Sequence, residues 1–176
     1  MDPAPGGTRW LDAEEQRAWR AWLYSTQLLN DRLERELMRA TGIPHAYYEI
    51  LVQLSEAPDR TLRMSQLAES SLSSRSRLSH AVARLEEAGW VRRRACPEDR
   101  RGAFAELTDA GRAKLDDAAR GHVEAVRTDL FDVLTRDQQR ALREVGEALR
   151  DHLSDGPVGP VGPGDGGGCC DRTSEP

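Results

Sequence analysis

The chain has 176 residues, a length that fits one domain, and 38% of them are apolar, which is enough for a single hydrophobic core. Charged residues make up 31%, and no apolar run approaches the roughly 18 residues of a membrane-spanning helix, so we expect no transmembrane segment. The N-terminus lacks the basic and apolar stretches of a secretory signal, and the three cysteines lack the spacing of a disulfide framework or a zinc site. These features predict a cytoplasmic protein.

The formal net charge of −5 is unevenly distributed. Residues 60–102 contain ten arginines and five acidic residues, so this segment carries +5 and the remainder carries −10. Arginine suits bidentate contacts with phosphates and guanine edges. An arginine-rich solvated surface is the alternative, because the chain has a single lysine, Lys114, and so favours arginine throughout.

Two helices are predicted at the N-terminal end. Apolar side chains recur at three- and four-residue spacing over residues 12–40, and Asp12 with Glu15 predicts a capping box at the start of this helix. Pro44 opens a second helix that ends before Pro58.

The next segment predicts a helix-turn-helix motif. Residues 61–64 are extended, and Ser65 is expected to cap a brief helix. A serine-rich turn over residues 70–74 leads into a second helix over residues 74–88, which Gly89 ends.

Beyond this motif the periodicity becomes that of strands. Residues 90–95 and 103–107 predict a two-stranded ribbon with a polar tip at 96–102. Thr108 is expected to cap a long helix, and Thr135 a final one. The fold class is therefore mainly α with a small β-ribbon, a winged helix-turn-helix flanked by long dimerisation helices.

The domain boundaries follow from this order of elements. We expect a disordered N-terminal arm over residues 1–11, one winged-helix domain over 12–153 with its DNA-binding core at about 44–107, and a disordered Gly/Pro-rich tail over 154–176. The long terminal helices have apolar faces with no partner in so small a core, which predicts a two-fold homodimer.

The second helix of the motif is the candidate for reading DNA in the major groove. Two arginines lie at its N-terminal end, where the helix dipole disfavours cations unless an anion binds there. A serine-rich surface helix is the alternative. The candidate contacts on this helix are Ser74, Arg75, Ser76, Arg77, Ser79 and His80, with Arg84 as a contact to the DNA backbone.

The hairpin tip is the second candidate. Arg100 and Arg101 stand where a thin ribbon can enter the minor groove, and Asp99 can orient an arginine there. The alternative is a salt bridge on a solvated loop, worth about 1 kcal/mol at most.

The run from Met64 to Leu115 resembles the multiple-antibiotic-resistance regulator (MarR) family of bacterial transcription factors. The similarity lies in SQLAE, RLEEAGWVRR, the pair Asp99 and Arg101, and LTDAGR. The resemblance implies a homodimer whose winged domains occupy successive major grooves of a palindromic operator, and a repressor that releases double-stranded DNA when an effector binds.

The resemblance also implies an effector site between the dimer helices and the winged domain. A small aromatic or anionic molecule could contact Trp19, Trp22, His45 and Tyr48. Aromatic residues at helical spacing are more often core, which is the alternative. Redox control through Cys96 is a weaker expectation, and no cofactor is expected.

Other function classes fit the sequence less well. The four histidines show no metal-ligand spacing, and no phosphate loop or nucleophile elbow occurs, so we expect neither an enzyme nor a metal site. A winged-helix protein-interaction module without DNA binding is the main rival. Arginines at both the recognition helix and the wing tip favour DNA over this rival.

Overall fold

The computed structural model describes residues 8–70, 74–96 and 102–153. Six α-helices and three strands lie in this part of the chain, with a 3₁₀ turn at Pro58–Arg60 and a π-helical turn at Arg127–Phe131. The elements are α1 (Ala13–Thr41), α2 (His45–Glu56), β1 (Thr61–Arg63), α3 (Met64–Ser70), α4 (Arg75–Glu87), β2 (Val91–Ala95), β3 (Ala103–Leu107), α5 (Asp109–Val126) and α6 (Arg136–Leu153). The predicted fold class is confirmed.

Local capping signals determine where the helices begin. Asp12 accepts the Glu15 N–H at 2.8 Å, and the Glu15 carboxylate accepts the Asp12 N–H at 2.9 Å, which completes the predicted capping box of α1. Thr108 accepts the Gly111 N–H at 3.0 Å at the start of α5. Thr135 accepts the Gln138 N–H at 3.3 Å before α6.

The first predicted cap of the motif is wrong. Ser65 lies inside α3, because that helix already begins at Met64. The side-chain oxygen of Gln66 instead accepts the backbone N–H of Arg63 at 3.1 Å. A side chain within the first turn of α3 therefore provides a hydrogen-bond acceptor for the N–H of the residue before the helix.

The sheet contains one more strand than the predicted ribbon. The order is β1–β3–β2 and both pairings are antiparallel. Val91 pairs with Leu107 and Ala95 with Ala103 in the wing hairpin, while Leu62 in β1 pairs with Ala105. This third strand ties the wing to the start of the helix-turn-helix.

One core holds the winged domain together. Leu51 and Leu54 of α2, Leu67 of α3, and Leu78 and Leu85 of α4 are all at most 1% exposed. The core continues through the sheet into α5, so burial of apolar surface fixes α4 against its scaffold. Within the described residues, no helix is long and apolar enough to cross a membrane.

Candidate nucleic-acid interface

The recognition-helix candidate α4 separates an apolar face from a polar one. Ser74 caps it by accepting the Arg77 N–H at 3.3 Å, and Leu78, Val82 and Leu85 are buried. The side chains of Ser74, Ser76, Arg77, Ser79, His80 and Arg84 are exposed. Six of the seven predicted contacts on this helix therefore lie on its solvent-facing surface.

Arg77 differs from Arg84, which is also exposed on α4. Within residues 8–70, 74–96 and 102–153, no carboxylate forms an ion pair with Arg77. Arg84, by contrast, donates to Glu87 at 2.8 Å, and this hydrogen bond raises the pKa of Arg84 above its ordinary value. An arginine without a carboxylate partner among the described residues therefore lies in the N-terminal turn, where the helix dipole favours a bound anion.

The arginines of β2 are engaged within the protein. Glu106 on β3 forms ion pairs with Arg92 and Arg94, which lie on the same face of the sheet. Arg92 Nη2 lies 2.6 Å from Glu106 Oε1, and Arg94 Nε lies 3.0 Å from Glu106 Oε2. Arg93 points to the other face, where its Nη2 donates to the Ser79 carbonyl at 2.6 Å.

Ion pairs reduce the positive charge that residues 60–102 present to solvent. Five arginines of residues 60–102 face carboxylates: Arg60, Arg84, Arg92, Arg93 and Arg94. Two of those carboxylates, Glu106 and Asp109, lie just beyond the basic segment in the sequence. The figure of +5 therefore overstates the positive field of the folded segment, and cationic character is concentrated at fewer positions.

Several predicted contacts lie outside the described part of the chain. These are the side chain of Arg75 and the wing-tip residues Asp99, Arg100 and Arg101. The base of the wing is described, and there the Cys96 N–H donates to the Gly102 carbonyl at 2.9 Å. Cys96 is buried, and Arg63 Nη2 lies 3.7 Å from its sulfur.

The predicted effector residues divide into two groups. His45 and Tyr48 lie together, with ring centroids 6.2 Å apart, whereas Trp19 and Trp22 are 52% and 39% exposed on α1 and make no ring contact with them among the described residues. His122 of α5 completes the cluster at 5.2 Å from His45 and 4.7 Å from Tyr48. We did not predict His122 as a site residue, because 77 residues separate it from His45 in sequence.

A cavity of about 410 Å³ adjoins this cluster between α1 and α5. Its lining includes His122, the small residues Ala118 and Gly121, and the carboxylates of Glu36 and Asp117. Burial, and then the proximity of His45, lowers the pKa of His122, while burial raises the pKa of Tyr48. The neutral imidazole of His122 therefore lines the cavity, and the neutral phenol of Tyr48 packs against that ring.

Comparison with known proteins places this arrangement in a family. Residues 41–102 match the model of the MarR family. The MarR family regulator Sco3205 from Streptomyces coelicolor, solved in complex with DNA, is 52% identical, with a TM-score of 0.81 over 85% of this chain and 93% of that chain. AbsC from the same organism is 41% identical, with a TM-score of 0.78 over 83% and 98% of the two chains.

A curated relative agrees with these structures. The HTH-type transcriptional regulator PecS from Dickeya dadantii is 29% identical over 133 residues, which are 74% of this chain and 79% of that protein. The chain belongs to the MarR family of transcriptional regulators.

Proposed function

We propose that the protein binds an inverted-repeat operator in double-stranded DNA as a homodimer and represses transcription until an effector binds. In each protomer α4 enters a major groove and the wing approaches the adjacent minor groove. A single observation carries this proposal: the exposed N-terminal turn of α4 presents Arg77 without a carboxylate partner in the described residues, whereas Arg84 and Arg93 both face carboxylates. The site of action is the bacterial cytoplasm, where the operator DNA lies.

The chemistry of α4 fits base recognition. The Arg77 guanidinium can chelate O6 and N7 of guanine, and the hydroxyls of Ser76 and Ser79 can bond base edges or phosphates. The Ser74 side chain accepts only the Arg77 N–H, so the earlier backbone N–H groups at the start of α4 are available to bind a phosphate. The DNA-bound structure of Sco3205, at 52% identity, supports DNA as the partner over another protein.

The terminal helices support the homodimer. In one chain, large apolar side chains on α1 and α6 remain open to solvent, including Trp19 at 52%, Leu28 at 68%, Val145 at 50% and Leu149 at 42%. Soluble monomers rarely leave such faces uncovered, and a second copy can bury both in one two-fold interface.

The effector class follows from the cavity between α1 and α5. The rings of His45, Tyr48 and His122 offer an aromatic surface beside it. Glu36 and Asp117 line the cavity, and Arg32 Nε lies 3.1 Å from Glu36 Oε1, so one of the two carboxylates is paired with a cation. Of the two effector classes that the sequence leaves open, the rings beside the cavity favour an aromatic molecule.

Selection from a pool of random DNA duplexes tests the DNA-binding proposal. The wild-type protein is expected to recover an inverted repeat with half-site centres about 10 base pairs apart, or a multiple of that distance. Arg77→Ala is expected to weaken binding to the recovered duplex by about tenfold or more. The control Arg140→Ala removes the same charge from exposed α6 and should bind as the wild type does. Recovery of no common sequence would refute the proposal.

A further inference from the structure

The Arg93 side chain joins the wing to the recognition helix. Its Nη2 donates to the Ser79 carbonyl at 2.6 Å, and its Nε lies 3.6 Å from Glu86 Oε2. Glu86 Oε1 also accepts the backbone N–H of Arg93 at 3.0 Å. Three contacts thus connect β2 with α4, and two of them involve backbone atoms.

The geometry of the two elements explains why these residues meet. Among the described strands, β2 is an edge strand that pairs with β3 alone, so the outward N–H of Arg93 needs a partner outside the sheet. Glu86 supplies that partner. Ser79 and Glu86 are seven residues apart, which is about two helical turns and places them on the same face of α4. Arg93 extends along this face and contacts the helix at both turns.

We propose that Arg93 is a positioning residue for DNA binding, which together with Glu86 fixes the angle between α4 and the wing. The inference rests on the proposed function, because α4 and the wing must reach neighbouring grooves of the same DNA at once. In this role Arg93 itself is not a DNA contact: its Nη2 donates to the Ser79 carbonyl, its Nε forms an ion pair with Glu86 at 3.6 Å without a hydrogen bond, and its side chain is 31% exposed. It acts through the orientation of residues that do contact DNA.

A simpler role for Arg93 would be that of one more phosphate contact in the basic segment. The two roles predict opposite effects when Glu86 is removed. Loss of a carboxylate close to DNA should strengthen binding if charge alone matters, because the repulsion of phosphates falls. If Glu86 holds the wing in position, the same loss should weaken binding.

The decisive experiment compares Glu86→Ala with Glu87→Ala on the duplex that the wild-type protein selects, with fluorescence anisotropy as the readout. Both variants remove one negative charge from the last turn of α4. We expect Glu86→Ala to bind about tenfold more weakly than wild type, and Glu87→Ala, which releases Arg84, to bind at least as tightly. Equal or tighter binding by Glu86→Ala would overturn the inference. Failure of the wild-type protein to select DNA would overturn the proposed function instead.

Arg93→Lys provides a second test that does not depend on how Glu86→Ala folds. Lysine keeps the charge but has one ammonium group, which cannot reach Ser79 and Glu86 together. Footprinting of the bound duplex is expected to show retained protection in the major groove and weakened protection in the minor groove beside the wing. A footprint identical to that of the wild type at unchanged affinity would contradict a positioning role.

Discussion

Gly111 and Trp90 approach so closely that no side chain fits between them. A methyl group on Gly111 would lie 2.0 Å from the Trp90 carbonyl oxygen and 2.8 Å from Leu107 Cδ1. The same carbonyl accepts the Thr108 N–H at 3.1 Å, so the start of α5 is fixed against the end of the helix-turn-helix. The contact explains why a glycine stands in the LTDAGR segment.

Gly111→Ala is therefore expected to destabilise the fold. The added methyl group meets backbone rather than a flexible side chain, so relief requires a shift of α5, at a cost of about 3 kcal/mol. Urea unfolding followed by circular dichroism measures the change. Gly121→Ala on the same helix is the control: nothing lies within 4 Å of its added methyl, and helix propensity predicts a gain of about 1 kcal/mol. Equal stability of the two variants would refute the close-approach argument.

Lys114 links α5 to the end of α1. Its Nζ donates to the Thr41 carbonyl at 3.0 Å, at the last residue of α1, and lies 5.7 Å from the centre of the Trp90 ring. Lys114→Met keeps most of the aliphatic part of the side chain but loses both interactions. The free energy of unfolding should fall by about 2 kcal/mol. Thermal unfolding tests this value. Arg112→Ala, which breaks an exposed pair with Asp116, should change stability by less than about 0.5 kcal/mol.

The histidine cluster makes stability depend on pH. The pKa of His122 is lowered from 6.5, first by burial and then by His45, so the unfolded chain takes up this proton before the folded protein does. The corresponding stability is present above pH 6.5 and is lost as the pH falls through the folded-state pKa.

His122→Gln isolates this contribution. Urea unfolding at about pH 7.5 and about pH 5.5 should show a smaller loss of stability in the variant than in the wild type. The difference between the two proteins is the informative quantity, because other groups titrate in both. An equal loss in the two proteins would contradict a role for His122.

The apolar face of α6 provides a test of the proposed homodimer. Leu149→Glu places a charge on that face and should convert the proposed homodimer to a monomer, which halves the mass measured by light scattering. Arg140→Glu places the same side chain on the polar face of α6, and its mass should remain that of a dimer. A dimeric Leu149→Glu variant would exclude α6 from the interface.

Local signals in the sequence predicted most of the fold. Asp12, Thr108 and Thr135 mark helix starts because a cap acts over three residues, and such spacing is visible without a structure. Strand β1 was predicted only as an extended piece, since three residues are too few for a periodic pattern. Its pairing with β3 depends on residues more than 40 positions away.

The site was predicted less completely, because charge counts do not show which charges meet. Arg92 and Arg77 count equally in the sequence, yet Glu106 binds the first and no described carboxylate binds the second. The signal for Glu106 was present: in the hairpin register that joins Ala95 to Ala103, Arg92 faces Glu106 directly. Glu86 lacked any such signal, since its contact with Arg93 depends on how α4 packs against the sheet.

The most direct measurement of DNA recognition is the affinity of the wild-type protein for its selected duplex and for a scrambled duplex, across a range of salt concentrations. Binding to the selected duplex is expected to be tighter by about a thousandfold, with a logarithmic salt slope of about −5 or steeper from several neutralised phosphates. Equal affinity for the two duplexes, or binding that is insensitive to salt, would contradict sequence-specific recognition through α4.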